Sequence, residues 1–267
     1  MPGDLPSFWA VVLAGDRGPD DPLRQAAGVS AKALVPVGGR PMVLRVLDAV
    51  ADARSVGRCV LCGPDWDAVE GEPALGERIG SDKVRWVPTG PTPSTSAWNG
   101  LKEVPEDVPA LLTTADHALL TPEMVDRFCA EASASGCDVV AGVARHEVVA
   151  RAYPETRRTV TRLRDGGYCG CNLFAFLTPR SREAARFWRR VEAQRKNPLR
   201  IVGTVGWIAV VRYLLGRLTL EEGLRRLSRA MGVRAGVVVL PFPEAAIDVD
   251  KVSDWELVER IVGKGGY

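Results

Sequence analysis

The residues best suited to chemistry sit where apolar runs stop. Phe8–Ala14 is apolar and ends at Gly15, and a glycine directly after a strand lets backbone N–H groups approach phosphate oxygens. Seventeen residues on comes Lys32, in Lys32-Ala-Leu-Val-Pro-Val-Gly-Gly-Arg-Pro-Met42, and a lysine beside such a loop would supply positive charge to a triphosphate. Each feature alone also fits a surface turn and a solvated lysine. Arg145 to Arg164 holds Arg145, Arg151, Arg157, Arg158, Arg162 and Arg164. Guanidinium forks of that kind could bind a phosphorylated molecule, or simply form an arginine-rich surface. Asp248 and Asp250 are two apart, so on a strand both point to one face.

The elements that must position these residues alternate. Strands are predicted at Phe8–Ala14, Arg58–Cys62, Val84–Val87, Ala110–Ala115 and Asp138–Val143. Helices are predicted over Pro41–Ala53, from the Pro91–Ser96 loop to Lys102, and after Thr121-Pro-Glu, where Thr caps and Pro takes the first position. The 15–31 stretch is read as a polar loop. Such alternation predicts a three-layer, Rossmann-like, mostly parallel sheet with helices on both faces, in which ligands bind beyond the carboxyl ends of the strands. Farther on, Val160–Leu163, Leu173–Phe176 and Val237–Leu240 read as strands. Ser181–Gln194, Ile201–Leu215, Leu220–Ala230 and Ser253–Val262 read as helices. One domain over 1–267 is expected, with a helical insertion at 197–232 and a hinge at Lys196–Gly203.

The pair Val11-Val-Leu-Ala-Gly15 and Lys32–Met42 resembles the N-terminal signature of nucleotidyltransferases with a GT-A-like fold. These include sugar-phosphate, molybdenum-cofactor and small-alcohol-phosphate nucleotidyltransferases. The resemblance implies that Leu13, Ala14 and Gly15 wrap the phosphates of an NTP and that Lys32 contacts them. The family arginine falls on Arg17 or Arg24. Asp16 stands where the family has a second glycine. Thr113-Thr-Ala-Asp116 resembles the segment in which an Asp ends a central strand and binds Mg²⁺. That role suits a cation that takes few carboxylates and draws its other ligands from phosphate and water. His117, beside it, reads as a local hydrogen-bonding residue. Ala246-Ile-Asp248-Val-Asp250 resembles the block giving the second metal contact, from either aspartate, while Ser253 and Asp254 read as a helix cap. Ser94 and Ser96 fall where the family has a serine loop near base and ribose, and would equally cap a helix. Gly166-Gly-Tyr-Cys-Gly-Cys-Asn172 resembles the segment framing the acceptor, which implies Asn172 as an acceptor contact; from the arginine run, Arg145 and Arg162 are the candidate phosphate contacts. The activity implied is transfer of NMP from an NTP to a small phosphorylated acceptor, with Mg²⁺ as cofactor and pyrophosphate as leaving group.

Composition narrows the alternatives. The chain has 267 residues, 46% hydrophobic, with a net charge of +2, so no strong field points to nucleic acid. No signal-peptide pattern or spanning run is read, and six cysteines in this length suggest reduced thiols in the cytoplasm. Cys59 and Cys62 have CxxC spacing, yet on a strand that places the sulfurs on opposite faces. A four-sulfur site with Cys169 and Cys171 is therefore not favoured. Ile201–Leu215 reads as a buried core helix or homodimer contact before a membrane-docking helix. Two rival functions stand beside the first. A glycosyltransferase could use Asp248 and Asp250 as its acidic pair, against which Lys32 argues. A non-catalytic nucleotide-binding protein is the other, with Asp16 in its favour.

Overall fold

The computed structural model describes residues 7–16, 18, 20–193 and 207–264. Phe8–Leu13 (β1) runs through the middle of the main sheet, and Pro36–Val37 (β2) and Arg40–Pro41 (β3) pair antiparallel in a small separate one. Strand β1 pairs in parallel with Val56–Cys62 (β4) on one side and Ala110–Thr114 (β6) on the other. Val84–Val87 (β5) extends the β4 edge in parallel. Beyond β6 lies Gly166–Phe176 (β9), antiparallel to both β6 and Val139–Arg145 (β7). Ala235–Leu240 (β10) closes that edge parallel to β7, and the short Thr161–Leu163 (β8) forms a hairpin with β9. The order is β10-β7-β9-β6-β1-β4-β5. This is the expected mostly parallel Rossmann-like sheet, with one reversed strand.

Side-chain alternation divides the core into two faces. Ala10, Val12, Leu61 and Leu111 pack on one face under Met42–Asp52 (α2) and Pro122–Ala134 (α6). Val11, Leu13, Val60 and Leu112 pack on the other under Pro93–Lys102 (α5) and Arg182–Ala193 (α8). Cys59 and Cys62 fall in these opposite clusters, and all six cysteines are free. Gly100 is what lets α5 lie close: a Cβ there would sit 2.5 Å from a Val11 methyl and 2.6 Å from the Cys62 sulfur. A third cluster lies under the last helix, Val252–Lys264 (α11), and includes Val35, Met42, Ile247 and Val249.

Several elements depart from expectation. Inside the predicted 15–31 loop is a short helix, Pro22–Ala27 (α1), started by the Asp21 carboxylate accepting the Leu23 amide at 2.8 Å and ended at Gly28. Trp66–Glu70 (α3), Pro73–Ile79 (α4) and His146–Ala152 (α7) are also helical and too short to show a period. The glycine-rich 166–172 stretch continues the strand that ends at Phe176. Paired on two sides, it is held by ladder bonds despite its glycines. The predicted helix at 201–215 is present as Trp207–Leu214 (α9), with 201–206 and the whole 196–203 hinge outside the described residues. Its Leu214 and Leu215 are 76% and 61% exposed, so this end is not a core helix. Leu220–Met231 (α10) follows, opened by a Thr219–Glu222 capping box. Among the described residues no helix is long and apolar enough to cross a membrane.

Candidate active site

The carboxyl ends of the central strands are stitched together by backbone hydrogen bonds. The Ala14 amide donates to the Cys62 carbonyl at 2.8 Å, and the Ala115 amide to the Leu13 carbonyl at 2.8 Å. The Val249 amide donates to the Asp116 carbonyl at 3.0 Å. That last bond draws the 248–250 segment onto the end of β6. Lys32, in the helical turn Lys32–Leu34, reaches the same point from the other side.

Lys32 is the centre of the arrangement. Its Nζ donates to Asp116 Oδ2 at 2.7 Å and to Asp250 Oδ1 at 2.8 Å, and its side chain is 7% exposed. Burial by itself would lower its pKa. The two carboxylates outweigh that and hold it above the ordinary lysine value, so it is a cation at neutral pH. Asp116 Oδ1 is buried and has no hydrogen-bond partner among the described residues. His117 is fully buried, and burial pushes its pKa down to about 4, which leaves the ring neutral at pH 7.

Two clefts border this group of charges: Lys32 and Asp116 line one, and Asp250 lines the other. The smaller, about 230 Å³, is lined by Leu13, Gly15, Asp16, Lys32, Thr89 and Gly90 together with Thr92, Ser96, Thr114 and Asp116. A Cβ at Gly15 would find only a Thr89 methyl, at 3.8 Å, so the loop is open on that side. The Ser96 hydroxyl accepts the Gly90 amide at 2.9 Å. The second cleft, about 480 Å³, is lined by Arg157, Arg158, Thr159, Thr161, Asn172, Asp248, Asp250 and Lys251.

The sequence candidates divide as follows. Leu13, Gly15, Lys32, Ser96 and Asp116 border the smaller cleft, and Ala14 is buried in the strand end behind it. Arg24 sits behind the first loop, 3.2 Å from Asp16. Arg17 lies outside the described residues. Ser94 faces away, its hydroxyl on Glu192 in a separate cleft lined by Arg186, Arg189 and Arg190. Thr92, not a serine, caps α5. Asn172, with a left-handed φ of 49°, borders the second cleft and donates to Asp248 Oδ2 at 2.8 Å.

The 248–250 segment is not a strand, and although Asp248 and Asp250 both border the second cleft they serve different partners. Asp250 meets Lys32, whereas Asp248 is claimed by Asn172 and the Arg158 guanidinium. Asp254 does not cap its helix with its own side chain; it accepts the Asp250 amide at 3.2 Å. Arg145 lies on the Tyr168 ring and donates to the Asp165 carbonyl at 2.9 Å, and Arg162 is exposed on β8; neither lines the cleft. Arg157, Arg158, Thr159 and Thr161 do. The arginine run contained two of the four, but nothing local separates cleft arginines from hairpin arginines.

The glycine loop, the buried lysine and the strand-end aspartate lie together at the carboxyl edge of an open α/β sheet, where such sheets bind their ligands. The MobA-like NTP transferase domain matches residues 10–237, and the chain belongs to that family. It is 30% identical over 129 residues to a 2-C-methyl-D-erythritol 4-phosphate cytidylyltransferase of Gloeobacter violaceus (48% of this chain, 54% of that one). It is 29% identical over 121 residues to the Synechococcus sp. protein of the same name (45% and 52%). The chain thus spans about half the length of these curated relatives. The solved structure of a hypothetical transferase from Thermus thermophilus superposes with a TM-score of 0.77 at 34% identity, over 93% of this chain and 99% of that one. The fold is shared with 4-diphosphocytidyl-2C-methyl-D-erythritol synthase from Anaerococcus prevotii, at a TM-score of 0.62 and 15% identity over 98% of each chain.

Proposed function

We propose that this protein transfers NMP from an NTP to a small phosphorylated acceptor, releasing pyrophosphate. One observation carries the reading: the Lys32 ammonium lines the smaller cleft beside Asp116 and is bonded to both Asp116 and Asp250, and Asp250 lines the larger cleft. The smaller cleft takes the NTP, with its phosphates toward Gly15 and Lys32 and its nucleoside toward Gly90 and Ser96. The larger takes the acceptor, whose phosphate faces Arg157 and the hydroxyls of Thr159 and Thr161. The names of the curated relatives favour CTP as the NTP and a polyol phosphate as the acceptor.

The chemistry asks for alignment and charge neutralisation. A phosphate monoester dianion is already a nucleophile, so no side chain need remove a proton. Its oxygen attacks the α-phosphorus, the bond from that phosphorus to the bridging oxygen breaks, and the electron pair leaves with pyrophosphate. Lys32 offsets charge that builds on the phosphates, and Arg157 and Arg158 hold the attacking phosphate in line. Asp116 and Asp250 would hold Mg²⁺, which when bound supplies further neutralisation of the triphosphate. The unsatisfied Asp116 Oδ1 fits that role, although no group of three or more carboxylate, histidine or cysteine ligands occurs among the described residues.

The test is pyrophosphate release across the four NTPs and a panel of phosphorylated polyols, sugars and pterins, with Mg²⁺. Release only when NTP and acceptor are both present is the expected result. Cleavage of a nucleotide sugar instead would assign the fold to glycosyl transfer. Tight NTP binding with no product across the panel would assign it to nucleotide binding alone.

A further inference from the structure

We infer that Asp16 acts as an internal stand-in for the triphosphate and sets the affinity of the first loop for phosphate chains. The inference rests on the function proposed above. The Asp16 carboxylate accepts the Gly18 amide at 3.2 Å and the Lys32 amide at 3.2 Å, and lies 3.2 Å from an Arg24 guanidinium nitrogen. Asp16 lines the smaller cleft with Gly15 and Lys32, Gly18 lies two residues on in the same loop, and Arg24 stands behind that loop on α1. A carboxylate oxygen and a phosphate oxygen compete for such donors, because both are acceptor-only anions.

Arg24 has little freedom to serve a second anion. Its guanidinium also donates to the Ser30 carbonyl, and its side chain is 17% exposed. The Lys32 ammonium is spoken for by Asp116 and Asp250. In this state Arg24 and Lys32 are each matched by carboxylates of the chain. An incoming phosphate chain must take Arg24 and the two amides from Asp16, and the displaced carboxylate stays nearby as a like charge. Asp16 therefore weakens binding of any phosphate chain, and Arg24 is the group it withholds.

The experiment is calorimetric titration of the full chain with inorganic pyrophosphate, for the wild type, Asp16→Asn, Arg24→Gln and the double variant, each checked by thermal melting. Asp16→Asn is expected to bind pyrophosphate about tenfold tighter, or more, than the wild type, a change of about 1.4 kcal/mol. That gain is expected to vanish in the Arg24→Gln background, which a purely structural role for Asp16 would not produce. An independent readout on the unaltered protein is NMR: pyrophosphate should move the Gly18 and Lys32 amide resonances as it replaces the carboxylate. Wild-type binding with no tightening in a folded Asp16→Asn variant, or saturation with those two amides unmoved, overturns the inference and leaves the proposed function standing. If no protein in the set binds pyrophosphate or any NTP, the proposed function falls and the inference with it.

Discussion

Lys32, Asp116 and Asp250 form a triad of unlike charges with a net charge of −1, at the mouth of two clefts rather than in the core. A half-buried triad is a poor investment for stability, since desolvation offsets most of its Coulomb energy. Its value lies in holding a cation and an anion-rich site ready together. Asp116→Ala is therefore expected to cut turnover by about a thousandfold or more, measured as pyrophosphate release. It should cost only about 1 kcal/mol of stability in denaturant titration, because the Asp116 backbone bond to Val249 survives the substitution. Magnesium-dependent turnover near the wild-type rate in that variant would count against the triad as the catalytic centre. Asp116 was legible as a residue directly after an apolar run. The choice of Asp250 over Asp248 was not, since it turns on Arg158 and Asn172, some 90 and 76 positions away in the chain.

At the scale of elements, two contacts hold a helix and an outer strand to the sheet. Gly100 lets α5 approach β1 and β4, so Gly100→Ala drives a methyl into Val11 and Cys62. Overpacking of this kind costs about 1–3 kcal/mol. Because Thr92 and Ser96 ride on the same helix, the KM for the NTP should rise as thermal stability falls. Asp138 ties the start of β7 to its neighbours: its carboxylate accepts the Arg234 amide at 2.8 Å and the Thr178 hydroxyl at 2.9 Å. Burial alone would raise its pKa, but these bonds outweigh that and hold it below the usual Asp range. The carboxylate's contribution is therefore complete above about pH 4, the unfolded-state value, and is lost as pH falls through the lower native pKa. Asp138→Ala should cost about 2 kcal/mol at pH 7. Urea titrations should show the same gap at pH 5 and a shrinking one below about pH 4.

Over the whole molecule, one prediction tests the packing directly. Five of the six thiols are buried and Cys137 is partly exposed. Burial pushes Cys62, Cys129 and Cys171 up to about 12, so they carry little thiolate at neutral pH. A disulfide reagent should modify Cys137 rapidly in the native protein and the other five only on unfolding, read by mass spectrometry; early labelling of Cys59 or Cys62 would contradict the two-faced core. The amino-acid order by itself determined β1, β4, β5, β6 and β7 and the longer helices α2, α5 and α6 among them, and with them the glycine loop after β1 and the aspartate after β6. Apolar runs, caps and breakers act over a few residues and are readable in place. Only the tertiary structure decided that β9 is one long reversed strand, because its glycines are held by neighbours on two sides rather than by local preference. It also decided which arginines face the cleft and which carboxylate meets Lys32. Those are choices among chemically equal side chains, made by contacts between distant parts of the chain, and no local pattern encodes them.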